Sequence, residues 1–213
     1  PYYIKTDTRV LLVEWGDGVT DVTRNVVMDS DQTFSITTKI QYFLKVNAPT
    51  GASTLGQGWY DTKSDVTVKI DYVWDVVREK SRSNLVSYDL DGGTNRTVPR
   101  SGSGTFMISL LMDSPHIVTF HSITQYYLAV SGGSGITFGM PSQTKDQWYD
   151  TGSSATVSTS YVWNTIPFRS RESLLGWSLD ESPMSKVSRE ETGMFNTLPI
   201  LMTTNHLVSF HSI

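Results

Sequence analysis

The chain has 213 residues, 17 basic and 21 acidic side chains, a net charge of −4 and a pI near 5.5. That length supports one large domain or two of about 100 residues, and the lack of any Lys/Arg run interleaved with aromatics argues against a nucleic-acid partner. With no cysteine at all, disulfide staples, thiolate nucleophiles and sulfur-ligated zinc are excluded.

The chain opens with "PYYIKTDTRVLLVEW", residues 1–15, an apolar, β-forming stretch that ends at "GDG", a turn signal. It starts at Pro1 rather than Met, as expected if a secretion signal had been removed. Extended, the segment would span about 50 Å. Alternation sets Ile4, Val10 and Leu12 on one face and Leu11, Val13 and Trp15 on the other. A strand this apolar at a free terminus invites aggregation unless it pairs with something.

From residue 27 onward the sequence repeats. "WYDTKSDVTVKIDYVW" at 59–74 matches "WYDTGSSATVSTSYVW" at 148–163, and "RSNLVSYDLD" at 82–91 matches "RESLLGWSLD" at 171–180, both 89 residues apart. "LLMDSPHIVTFHSI" at 110–123 meets "ILMTTNHLVSFHSI" at 200–213 after one inserted residue. A partial earlier copy, 27–44, aligns on 111–128, while residues 1–15 fall outside the alignment. The copies alternate apolar with polar, are rich in β-branched and aromatic residues, and are punctuated by Gly, Pro, Ser and Asp. This texture predicts an all-β chain of two tandem immunoglobulin-like antiparallel β-sandwiches with an N-terminal donor strand. The boundaries are a donor strand at 1–16, a first repeat domain at 17–122 and a second at 123–213. The second repeat stops where earlier copies pass into a further "QYYL"-type strand, so a strand from a neighbour would complete it.

Within the repeat, "WYDTGSS" resembles the catalytic loop of an aspartic protease, which needs two carboxylates sharing one proton. The matching Asp61 is followed by Thr62 and Lys63, not Gly, and Lys would crowd that turn and place an ammonium beside the dyad. Asp150 is read as a hairpin corner, where Asp accepts the turn's own N–H groups and Gly152 supplies a positive φ. His116 and His121 recur as His206 and His211. A spacing of five on a strand puts each pair on opposite faces, about 16 Å apart, too far to share a metal. The repeated Trp59, Tyr60, Tyr72 and Trp74, with Trp148, Tyr149, Tyr161 and Trp163, are read as core and sheet-face packing. No catalytic, cofactor-binding or metal set is expected. Asn95 begins "NRT", a glycosylation sequon, and no apolar run is long enough to cross a bilayer.

The ordered motifs "TQYYLAV", "WYDTGSSATVS", "YVW", "GWSLD" and "HLVSFHS" resemble the repeats of archaeal secreted and surface-layer proteins. Two such units behind an N-terminal strand look in particular like the archaeal thread pilins. That resemblance implies a glycosylated, extracellular filament subunit, joined head to tail to copies of itself by donor-strand complementation and serving adhesion or biofilm formation. The rival expectation is a secreted binding or protease-accessory module.

Overall fold

The computed structural model describes residues 1–139 and 142–213, and among them every regular element is a strand. The first eleven are β1 (Tyr2–Lys5), β2 (Thr8–Trp15), β3 (Ile36–Asn47), β4 (Thr54–Leu55), β5 (Gly58–Asp61), β6 (Asp65–Asp71), β7 (Val73–Val77), β8 (Ser81–Leu90), β9 (Arg96–Thr97), β10 (Thr105–Leu111) and β11 (His116–Ser131). The pattern then recurs as β12 (Thr137–Gly139), β13 (Trp148–Asp150), β14 (Ser154–Ser160), β15 (Val162–Ile166), β16 (Ser170–Leu179), β17 (Ser185–Lys186), β18 (Met194–Asn196), β19 (Ile200–Leu201) and β20 (His206–Ser212). Alternation decides which side is buried: in β6, Val66, Val68 and Ile70 point inward while Asp65, Thr67 and Lys69 face water.

The strands form two compact units. Unit 1 holds residues 1–70, 87–97 and 105–121; unit 2 holds 71–86, 98–104 and 122–213. Thus β7 and the first half of β8, which belong to the first sequence repeat, are part of unit 2.

In unit 1, β3 is flanked on one side by β2, antiparallel along residues 36–42, and on the other by β5, antiparallel along 41–44. A second, three-stranded sheet has the order β10–β6–β4. In unit 2, β11 takes the part of β3: β13 pairs with it from Gln125 to Tyr127, β8 also pairs with it, and a further sheet runs β12–β14–β18. The expectation of wholly antiparallel sheets fails at two ladders. Residues 116–119 of β11 run parallel to 44–47 of β3, and β20 runs parallel to 128–131 of β11. The strands that open and close each repeat run the same way, and the chain between them is long enough to serve as the crossover that parallel pairing needs.

The core repeats as the sequence does. Leu44 and Leu128, Val68 and Val157, Leu85 and Leu174, Met112 and Met202, and Val118 and Val208 are at most 1% exposed. Each contributes about 1.5–3 kcal/mol through burial. Among the described residues no buried side-chain N or O lacks a hydrogen-bond partner.

Residues 1–15 form a hairpin, β1–β2, and do not stand apart from the repeat. β2 lies on β3 as β8 lies on β11: the Phe43 N–H donates to the Asp7 carbonyl at 2.9 Å, and the Tyr127 N–H to the Lys80 carbonyl at 3.2 Å. The three hairpin strands then align as "TRVLLVEW" at 8, "SRSNLVSY" at 81 and "SRESLLGW" at 170. Strict alternation also breaks in β2. The register shifts between Leu12 and Glu14, leaving Val13 as a bulge and returning Trp15 to the face of Val10 and Leu12.

Candidate functional site

Three adjacent strands of unit 1 set a polar row across the sheet. Arg9 on β2 lies opposite Gln41 on β3, and Gln41 lies opposite Asp61 on β5. Arg9 Nε donates to Gln41 Oε1 at 2.9 Å, and Gln41 Nε2 donates to Asp61 Oδ1 at 2.6 Å. The guanidinium sits 4.5 Å from the centre of the Trp59 ring, with Tyr3 edge-on to the same indole at 5.7 Å. Lys39 Nζ donates to Asp61 Oδ2 at 2.8 Å. The Lys39 and Gln41 hydrogen bonds hold the Asp61 carboxyl below its ordinary pKa.

Unit 2 builds the same row more deeply. Arg82 Nε donates to Gln125 Oε1 at 2.8 Å, Gln125 Nε2 donates to Asp150 Oδ1 at 2.9 Å, and the Arg82 guanidinium lies 4.7 Å from the Trp148 centroid. Arg82 also donates to Asp146 at 2.8 Å and to Thr144 at 3.0 Å. Arg82 is 6% exposed and Gln125 fully buried. Burial lowers the Arg82 pKa, with the Asp146 carboxylate opposing. A flat, delocalised and weakly hydrated cation tolerates such a place where an ammonium would not. The site is a socket: a Gln, a Trp and an Asp receiving an arginine from a hairpin strand.

A third arginine, Arg171, occupies the same place in its hairpin and meets no such Gln–Trp–Asp set among the described residues. The ladder β15–β16 pairs Val162 with Ser173, Trp163 with Glu172 and Ile166 with Ser170, the register of β7–β8 shifted by 89 residues. The turns match as well, with positive φ at Asp75 and Glu79 and again at Asn164 and Phe168. Yet the Arg171 side chain is 47% exposed beside Glu191 at 3.7 Å, and Phe168 at the hairpin tip is fully exposed.

Sequence reasoning missed Arg9, Arg82, Arg171, Gln41 and Gln125. The signal was available in the recurring [S/T]-R-x-x-L pattern and in the Gln of "QYF" and "QYY". The residues expected in a donor strand, Ile4, Val10, Leu11, Leu12, Val13 and Trp15, lie in or beside the β1–β2 ladder of this chain, with Ile4 54% and Val13 38% exposed. Asp61 and Asp150 both precede tight turns. Lys63 and Gly152 take φ of 65° and 78°, and the Ser64 and Ser153 hydroxyls donate to the carbonyls of Asp61 and Asp150 at 2.7 Å. Asp150 is held at both oxygens by Arg100, at 2.6 and 2.9 Å.

His116 bonds Asp91 at 2.7 Å and Asp113 at 3.0 Å, and His206 bonds Asp180 at 2.5 Å. His121 bonds Asp89 at 2.8 Å, and His211 meets the Ser178 hydroxyl at 3.0 Å. Burial depresses the His116 pKa, but the two carboxylates outweigh it and the net shift is upward. Among the described residues no cluster of three or more such side chains is placed to hold a metal ion. Asn95 is exposed in the loop between β8 and β9, and among the described residues no helix is long and apolar enough to cross a membrane. Comparison with protein-family models, with curated proteins and with solved structures finds no match to this chain.

Proposed function

We propose that the chain is a structural, non-enzymatic subunit of an extracellular filament, made of two tandem immunoglobulin-like β-sandwich modules. Copies join head to tail by strand exchange, with residues 1–15 donated to the C-terminal unit of a neighbour. The observation that carries this reading is the open apolar face of the N-terminal hairpin. Its positions are core positions elsewhere: Leu85 and Leu174, equivalent to Leu12, are at most 1% exposed, and Phe120 and Phe210, equivalent to Ile36, are 3% and 6% exposed. Ile36 itself is 56% exposed and Tyr2 76%. Together with Val10, Leu12 and Val22 they line an open groove of about 570 Å³. A face of this kind on a sheet end calls for a partner, and a heterologous contact that does not close generates a fibre. Asn95, exposed and in a sequon, is the proposed glycan site.

Negative-stain electron microscopy of the native protein beside a form lacking residues 1–15 tests the reading. Filaments in the first sample, soluble folded particles in the second and recovery on adding a 1–15 peptide are expected. Folded monomers in both would overturn it in favour of a secreted binding module.

A further inference from the structure

We infer that the β15–β16 hairpin is a plug for the Gln41–Trp59–Asp61 socket of a second copy of this chain, with Arg171 as its key. The inference rests on the filament reading above and names the surface that joins one subunit to the next.

Two filled sockets show what a plug requires. Arginine must stand one residue into the hairpin's second strand, opposite the Gln of the receiving strand, and its guanidinium must reach the Trp. Arg171 stands at that position of β16, in a hairpin with the β7–β8 register and turn dihedrals. The resemblance extends to the first strand. Trp74, opposite Ser83, is 6% exposed in unit 2, and Trp163 is its counterpart opposite Glu172. In unit 1 that place, opposite Val10, is held by Tyr2, which is 76% exposed. β15–β16 therefore matches the well-seated plug of unit 2 more closely than does β1–β2, the present occupant of the unit 1 socket. When residues 1–15 leave to pair with a neighbour, they vacate Gln41, Trp59 and Asp61, and residues 170–172 of β16, which lie beyond its ladder with β20 and Ile213, take the place of Thr8, Arg9 and Val10 on β3. Because plug and socket lie on different parts of the surface, the contact propagates instead of closing.

The absence of native cysteine makes a covalent test clean. Thr8 faces Tyr42 across the β2–β3 ladder, and the bond from the Phe43 N–H to the Asp7 carbonyl marks theirs as a non-hydrogen-bonded pair, the geometry in which Cα atoms approach closely enough for a disulfide. Ser170 is the counterpart of Thr8 in β16. A chain carrying Tyr42→Cys and Ser170→Cys is oxidised under filament-forming conditions and run on a non-reducing denaturing gel. A ladder of dimers, trimers and longer species is expected, reduced at least about tenfold when Arg171→Glu is added. Thermal unfolding of the Arg171→Glu monomer should be unchanged, because that side chain is exposed. Monomers alone, while the same sample holds filaments, would overturn the plug and leave the filament reading standing. Monomers alone, with no filaments from the unmodified protein either, would overturn both.

Discussion

Arg9, Arg82 and Arg171 are one residue in three environments, and the difference between them is measurable. Arg82 is 6% exposed and hydrogen-bonded to Gln125, Thr144 and Asp146, so Arg82→Ala leaves polar partners unpaired and should destabilise unit 2 by about 3 kcal/mol. Arg171→Ala should shift monomer stability by less than about 0.5 kcal/mol. Urea unfolding of the two variants checks the contrast, and equal losses would mean that Arg171 is already buried in the monomer. His116 offers a second test. Its folded pKa lies above the ordinary value near 6.5, so its pairing with Asp91 and Asp113 contributes stability fully below about pH 6.5. That contribution is lost as pH rises through the folded value. The stability gap between wild type and His116→Gln should therefore be widest in acid and narrow on the alkaline side. A gap independent of pH would show that the His116 charge is not involved.

At the scale of elements, much was legible in the sequence, because strand periodicity is a local property. The alternation "DVTVKID" maps onto β6 residue by residue, and the two D-T-x-S corners fall between the strands where Asp and a positive-φ residue suggested a turn. What escaped notice was the hairpin as a repeated unit. "TRVLLVEW" shares with "SRSNLVSY" the Arg, Leu and aromatic that make contacts, while the positions between them drift, and an apolar tail reads as an isolated strand. The parallel ladders were hidden for a different reason. Direction of pairing depends on where strands separated by most of a repeat come together, which no local pattern encodes. The bulge at Val13 reversed half of the expected facing of β2, since one extra residue moves everything beyond it to the other side.

At the scale of the whole molecule, the repeat in sequence and the compact unit in space are out of phase. β7 and half of β8 come from the first repeat yet belong to unit 2. Among the described residues, half of the exposed large hydrophobic side chains fall within the first 40 residues, from Tyr2 to Ile40, where a monomer would have to leave them in water. The most direct test is the mass of the native protein in solution, by size exclusion with multi-angle light scattering across a range of concentrations. The account predicts species heavier than the 23.8 kDa chain, growing without a fixed stoichiometry as concentration rises. A mass that stays at one chain at every concentration would contradict it.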